Sequence, residues 1–278
     1  MQRSRITQFA LLALSLSPLC SAQWLNYPAA GVPRTKDGKV NLTAKMPRTR
    51  DGKPDLSGVW HVKSESAEEK VKLGNRPDVF QVPGMESFTT SIYASSIVRD
   101  LPPGDILVTP AAEAVLAARR AIPPAQINGC LPYGMPRTVL LSEVQKIVQT
   151  PGLTLILLEL DSQTRQIYTD GRPLPKDPSP SWQGYSIGRW EKDTFVVETI
   201  GFNGKTMLDP AHPTSPTMKM TERYTRLDVG HLQQQMTFED PAFYNKPITF
   251  TVTHLLQPDT DILEYVCAEN EKDTSHMR

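Results

Sequence analysis

The chain has only three cysteines, no net charge and no long apolar run, and each of these absences excludes a class of protein. Thirty basic and thirty acidic side chains leave no basic surplus to neutralise phosphates, so we expect no nucleic-acid binding. The main apolar run, residues 9–19, is shorter than the roughly 20 residues that a membrane-spanning helix needs. Proline, in contrast, is abundant with 25 residues, which favours loops and short strands over a helical bundle.

Residues 1–22 have the pattern of a cleaved secretory signal peptide. Two arginines form a basic start, the apolar run follows, and small residues up to Ala22 precede the expected cleavage site. We therefore expect a mature chain that begins near Gln23 and resides in the periplasm or outside the cell. A lipoprotein attached through Cys20 is the alternative, although the residues before this cysteine match a lipobox poorly.

Removal of this segment leaves two cysteines, Cys130 and Cys267. An even pair in an oxidising compartment usually forms a bridge, so we predict a disulfide between them. Two buried thiols are the alternative, because free cysteine is also a good core residue. A zinc site is disfavoured, since no histidine pair with suitable spacing is present.

Residues 23–54 are predicted to form an extended arm in front of one barrel-like domain at residues 55–278. The sequence PRTKDGK at residues 33–39 recurs as PRTRDGK at residues 47–53. One repeated pair is too little for a solenoid, which needs about three units, so we interpret it as two Asp-Gly turns. The arm is either a contact surface for a partner or a linker packed on the outside of the domain.

The rest of the chain is predicted to be mainly β, with one short helix at residues 109–120. Thr109 is placed to cap that helix, and Pro110 suits its first turn. A first strand is expected around Trp60, and four hairpins follow it. So long an antiparallel up-and-down meander hides its edges by closing into a barrel or splitting into a sandwich, and we expect the barrel. The hairpins pair residues 153–160 with 165–169, 185–190 with 194–200, 218–226 with 231–239, and 248–256 with 262–267.

Five short motifs are spread over the mature chain. They are DGKPDLSGVW at 51–60, CLPYGMPR at 130–137, IYTDGR at 167–172, GYSIGRWE at 184–191 and EYVC at 264–267.

With these motifs the chain resembles a large family of secreted bacterial proteins of unknown function. The resemblance implies export but assigns no catalytic residues. Residues 58–60 (GVW) are also similar to the Gly-x-Trp start of lipocalin-type, or calycin, barrels, which implies a calycin-like barrel. At residues 212–216 (HPTSP) the chain departs from its relatives, which look rich in histidine and glutamate there.

Motifs of metal, nucleotide and serine-hydrolase chemistry are missing from the sequence. There is no Gly-x-Ser-x-Gly elbow and no glycine-rich phosphate loop, so we expect no cofactor. The histidines include no pair at metal-ligand spacing, so we expect no metal either: His61, His212, His231, His254 and His276.

The densest group of polar and aromatic residues lies between residues 168 and 189. Charges and rings on one loop are typical of a ligand site at a barrel mouth, where polar groups fix orientation and rings supply contact area. The alternative is a rigid, proline-tied loop in which the charged residues pair with each other. The candidate ligand-binding residues are Asp170, Arg172, Trp182, Tyr185 and Arg189.

Strand alternation predicts two ionisable groups on apolar faces. His254 shares a face with Phe250 and Val252, and Glu222 shares one with Met220 and Tyr224. Each is either a structural group satisfied by a neighbour such as Arg189 or Arg223, or a general acid or base with a shifted pKa. The catalytic candidates are therefore Glu222, His254 and Asp170.

From these observations we expect an exported β-barrel that binds a small, partly apolar molecule in its interior, as a lipocalin-like cup does. One alternative is a cofactor-free periplasmic hydrolase, lyase or isomerase with acid–base residues in the barrel. Another is a structural surface protein whose barrel is filled by side chains. The size of the lumen discriminates among them, since a ligand site needs several hundred Å³.

Overall fold

The computed structural model of the chain describes residues 29–64, 91–94, 96–102, 104–122, 131–141 and 144–265. The expected signal peptide and both cysteines of the predicted disulfide lie outside these ranges. Two α-helices occur in them, α1 (Pro110–Arg120) and α2 (Arg137–Leu140), and neither is long and apolar enough to cross a membrane. The strands are β1 (Gly58–Val62), β2 (Gln145–Thr150), β3 (Leu153–Leu158), β4 (Gln163–Tyr168), β5 (Tyr185–Glu191), β6 (Thr194–Ile200), β7 (Met207–Asp209), β8 (His212–Pro213), β9 (Lys219–Arg226), β10 (His231–Glu239) and β11 (Ile248–Leu256).

Nine of these strands form a closed barrel, which confirms the predicted fold class. Their order around the wall is β1, β11, β10, β9, β6, β5, β4, β3, β2, and β2 returns to β1. The remaining two, β7 and β8, pair with each other apart from the barrel. Closure removes the free edges that an open sheet of this size would expose.

Three of the four predicted hairpins are confirmed: β3 with β4, β5 with β6, and β9 with β10. The fourth prediction is wrong, because residues 262–265 form no strand beside β11. The edge of β11 is occupied by β1, where Trp60 pairs with Leu256. The chain after β11 instead runs outside the wall, where Asp261 accepts two 2.7 Å hydrogen bonds from Lys146 on β2.

The wall contains one parallel pair, β4 with β5, and its register is the shortest in the wall. Pairing is limited to Ile167 with Ser186 and Tyr168 with Ile187. A parallel pair needs a crossover, and residues 169–184 carry the chain back to the end of the barrel where β4 began. We call this junction the seam.

The N-terminal arm folds into the two turns that its repeat predicts. Gly38 donates to Thr35 and Gly52 to Thr49, at 2.9 and 3.0 Å, and both glycines have positive φ, which glycine adopts readily. In each turn the arginine of the repeat donates to the glycine carbonyl. The two copies of the repeated sequence therefore form the same turn, with the same hydrogen bonds.

Each turn also docks on the barrel through an ion pair. Arg34 pairs with Asp259 in the loop after β11, and Arg48 pairs with Asp193 between β5 and β6. Between the turns, the carbonyl of Leu42 accepts a 2.7 Å hydrogen bond from a backbone N–H of the β9–β10 loop. The arm therefore lies across loops at one end of the barrel.

The predicted helix at residues 109–120 is confirmed as α1. The hydroxyl of Thr109 accepts a hydrogen bond from the N–H of Ala112, and Pro110 occupies the first turn. Ala112 and Leu116 are its buried positions. The backbone N–H of Thr109 donates to Phe243, which anchors the helix to the chain between β10 and β11.

Gly188 on β5 is expected to tolerate no side chain. A Cβ atom there would lie 2.5 Å from Cζ of Phe195 and 2.9 Å from Cγ2 of Ile167, both in the core. We expect Gly188→Ala to lower the free energy of unfolding by about 1–3 kcal/mol through overpacking. Urea unfolding measures the change. Combining it with Phe195→Leu should recover part of the loss, and full stability of Gly188→Ala alone would contradict the prediction.

Candidate functional site

Glu222, one of the predicted acid–base residues, forms a buried ion pair inside the barrel. Its carboxylate accepts a 2.9 Å hydrogen bond from Nη1 of Arg165 and a second one from Nη2, and the two side chains are 0% and 1% exposed. The suggested partners Arg189 and Arg223 are wrong. They lie on the outer face of the wall, where both pair with Glu191.

Arg165 also holds the seam together from the inside. Its Nε and Nη2 atoms donate to Ser186 at 3.2 Å, and Nη2 donates to Thr199 at 2.8 Å. Burial lowers the pKa of Arg165, but the adjacent carboxylate of Glu222 outweighs this, so the pKa ends above its ordinary value. One side chain of β4 therefore joins β5, β6 and β9 where the backbone pairing is shortest.

The hydrogen-bond network continues from Glu222 to His254. Tyr224 and Gln234 each donate to Glu222 at 2.8 Å, and Oε1 of Gln234 lies 2.7 Å from Nε2 of His254. Nδ1 of His254 lies 3.3 Å from Nε2 of Gln145. These contacts are consistent with a neutral imidazole that donates through Nε2 and accepts through Nδ1. Burial lowers the pKa of His254 to about 3.

The described side chains fill the lumen. The inward-facing apolar side chains of the strands belong to one buried core cluster, and the void among them has no room for a water molecule. Glu222 and His254 are 0% and 1% exposed, so within the described part of the chain neither side chain is open to a ligand. The void is lined by Leu56, Ile147, Thr154, Ile156, Ile167, Phe195 and Tyr224.

A concave site with a volume of about 370 Å³ lies on the outer wall along the seam. The parallel pairing covers only the last residues of β4. Towards Gln163, the start of β4 is not paired with the segment that leads into β5, and the groove lies between the two. One side is formed by Gln163, Thr164, Gln166 and Tyr168 of β4, and the other by residues 181–186. We call this site the seam groove.

Two of the predicted ligand-binding residues, Trp182 and Tyr185, line the seam groove. Asp170 and Arg172 lie at its rim. Nε of Arg172 donates to both carboxylate oxygens of Asp170 at 2.9 Å, and its Nη1 donates to the hydroxyl of Tyr185 at 3.4 Å. The guanidinium also lies 3.9 Å from the ring centroid of Tyr168. The structure thus brings four of the five candidates together.

Arg189, the fifth candidate, lies elsewhere. It points outward further along β5, where it donates to Glu198 at 2.5 Å and pairs with Glu191 at 3.1 Å. Asp170, which was also a catalytic candidate, is held by Arg172, whose hydrogen bonds lower the pKa of the Asp170 carboxyl. Both charged groups of the rim are thereby neutralised by each other.

Comparison with models of known protein families finds no match, and comparison with curated proteins finds no significant match. The resemblance to secreted bacterial proteins stays a prediction. No group of three or more potential metal-ligating side chains occurs in the described part of the chain.

A second polar contact occurs at residues 209–212, which overlap the segment 212–216. Nδ1 of His212 lies 2.8 and 2.7 Å from the two carboxylate oxygens of buried Asp209. The backbone N–H groups of Ile97 and Ala211 also donate to this carboxylate. The carboxylate fixes the ring orientation, as in many acid–base sites, but neither residue lines the seam groove.

Arg165 and the three glutamines of the seam groove were missed by sequence reasoning. The signal for Arg165 is present, because it lies two residues before the apolar Ile167, and this spacing places both side chains on the inner face of β4. The glutamines carry no such signal. Gln183 precedes β5 in a segment without regular structure, and its approach to Gln163 follows from the parallel crossover.

Proposed function

We propose that this protein is a small-molecule-binding protein whose site is the seam groove, not the lumen. The observation that carries the proposal is the contrast between a lumen whose polar side chains, such as Glu222 and His254, are buried and an outer groove of about 370 Å³. That volume is within the roughly 300–1,000 Å³ of small-molecule sites. Tyr168, Trp182 and Tyr185 supply apolar surface, and the glutamines supply hydrogen-bonding groups.

The proposed place of this binding is the periplasm or the exterior of the cell. The basic start, apolar run and small residues within residues 1–22 support export. A partly apolar molecule is the proposed ligand, because the groove combines rings with uncharged polar side chains.

The filled lumen also favours a second candidate function, a structural surface protein. Such a protein needs a stable barrel and no ligand site, and the buried network from Arg165 to His254 serves stability alone in that case. An enzyme acting through Glu222 or His254 is less well supported, since both are sealed inside the barrel.

Native mass spectrometry of protein purified from its own host tests the proposal. We expect the unaltered protein to retain a small molecule, and Tyr185→Ala to lose it, because the ring supplies contact area in the groove. Gln235→Ala is the control, since this exposed side chain lies on β10, which β6 and β9 separate from β5. Absence of any retained mass, or equal retention by Tyr185→Ala, would favour the structural protein.

A further inference from the structure

The seam groove is lined entirely by uncharged side chains. Its ten lining residues are glutamine, threonine, serine, tyrosine, tryptophan and glycine only. The charged groups that contact lining residues are paired: Arg172 pairs with Asp170 at the rim, and Arg165, which donates to Ser186, pairs with Glu222 inside the barrel. A charged ligand would lose hydration in such a groove without gaining a counter-charge, so the lining selects against ions.

The amides of the groove supply donors and acceptors side by side. Nε2 of Gln183 donates to Oε1 of Gln163, and this hydrogen bond links the two sides of the groove. Oε1 of Gln183 is buried and has no hydrogen-bond partner; among the described residues only Oε1 of Gln145 shares this state. An unpaired buried acceptor is unfavourable, and a hydroxyl group of a ligand that reaches Gln183 would relieve it. A wholly apolar ligand would offer this acceptor no hydrogen-bond donor.

The rings of the groove supply apolar faces next to these amides. The rings of Tyr168 and Tyr185 are stacked with 5.2 Å between their centroids. Trp182 lies on the side of the groove that residues 181–186 form. A molecule that uses both the rings and the amides needs C–H faces and hydroxyl groups in close alternation. Pyranose sugars have this arrangement, because their ring hydrogens form apolar faces and their hydroxyls project from the edge.

On these observations we propose that the ligand of the seam groove is a neutral saccharide. This inference rests on the proposed function, because it concerns the same groove. The amides bind the sugar hydroxyls, and the aromatic side chains pack against the C–H face of a pyranose ring. Neutrality follows from the uncharged lining, so uronic acids and phosphosugars are disfavoured.

Saturation-transfer NMR on the full mature chain tests the ligand class. The probes are three neutral trisaccharides (maltotriose, cellotriose and triacetylchitotriose), the acidic trigalacturonate, and the apolar alcohol 1-naphthol. We expect transfer to at least one neutral trisaccharide. We expect Gln166→Ala and Tyr185→Ala to weaken its binding about tenfold or more, since each removes a groove contact. Gln235→Ala, the same chemical change on the outer face of β10, should bind as the unaltered chain does.

The outcomes separate the ligand class from the proposed function. Binding of 1-naphthol that Tyr185→Ala abolishes, without binding of any neutral trisaccharide, overturns the saccharide inference and leaves small-molecule binding in place. Binding of trigalacturonate as tight as that of the neutral sugars overturns the argument from charge. If no probe binds, the inference is wrong, and native mass spectrometry then decides the proposed function separately.

Discussion

Replacing Arg165 with methionine is expected to lower the free energy of unfolding by about 3–5 kcal/mol. The substitution leaves the carboxylate of Glu222 buried without a counter-charge, although Tyr224 and Gln234 still donate to it. It also removes the side chain that joins β4 to Ser186 and Thr199 across the seam. Since a domain has a total stability of about 5–15 kcal/mol, this one change removes a large fraction of it. Urea unfolding at pH 7 measures the loss.

Two further variants make this prediction specific to the buried pair. Arg189→Met is the same chemical change on the outer face, where the side chain is half exposed, and it should cost less than about 1 kcal/mol. Arg165→Met combined with Glu222→Leu removes both buried charges, so the double variant should be more stable than Arg165→Met alone. If Arg165→Met and Arg189→Met lowered the free energy of unfolding equally, the buried ion pair would stabilise the fold no more than an exposed one does.

Much of the fold follows from local patterns in the sequence. The hairpins at β5–β6 and β9–β10 combine alternating apolar residues with short polar turns, and both signals lie within a few residues of each other. The turns of the arm follow in the same way from Asp-Gly pairs. In contrast, the pairing of β1 with β11 joins residues almost 200 positions apart, for which the sequence has no local signal. The fourth hairpin was predicted wrongly for this reason.

The candidate site was predictable only in part. Strand alternation placed Glu222 and His254 on the inner face, and the density of rings and charges indicated Trp182 and Tyr185. Whether the lumen is open or filled depends on side chains from nine strands, whose summed volume a strand pattern does not give. The seam groove depends on the parallel register of β4 and β5, which is set by a crossover without regular structure. The sequence therefore predicts a site at the mouth of the barrel, whereas the seam groove lies on its wall.

Acidification below pH 6.5 is expected to destabilise the protein through His254. The folded chain holds the pKa of this buried imidazole at about 3, whereas the unfolded chain titrates near the ordinary value of 6.5. Between these two values the unfolded state binds one more proton than the folded state does. The contribution of the neutral ring is therefore complete above pH 6.5 and decreases as the pH falls, at a limiting rate of about 1.4 kcal/mol per pH unit.

The variant His254→Gln isolates this contribution, because carboxylates that also lose stabilisation in acid are present in both proteins and cancel in the difference. Urea unfolding of both proteins at intervals from pH 7.5 to 4.5 should give a difference that is constant at the neutral end. Between pH 6.5 and 4.5 the free energy of unfolding of the unaltered chain should fall by about 2–3 kcal/mol more than that of His254→Gln. A charged imidazole loses one contact in the present orientation of the Gln145 amide, since its protonated Nδ1 would face the donor Nε2 at 3.3 Å. Stability curves that stay parallel over the whole range would show that His254 accepts a proton in the folded barrel as readily as in the unfolded chain.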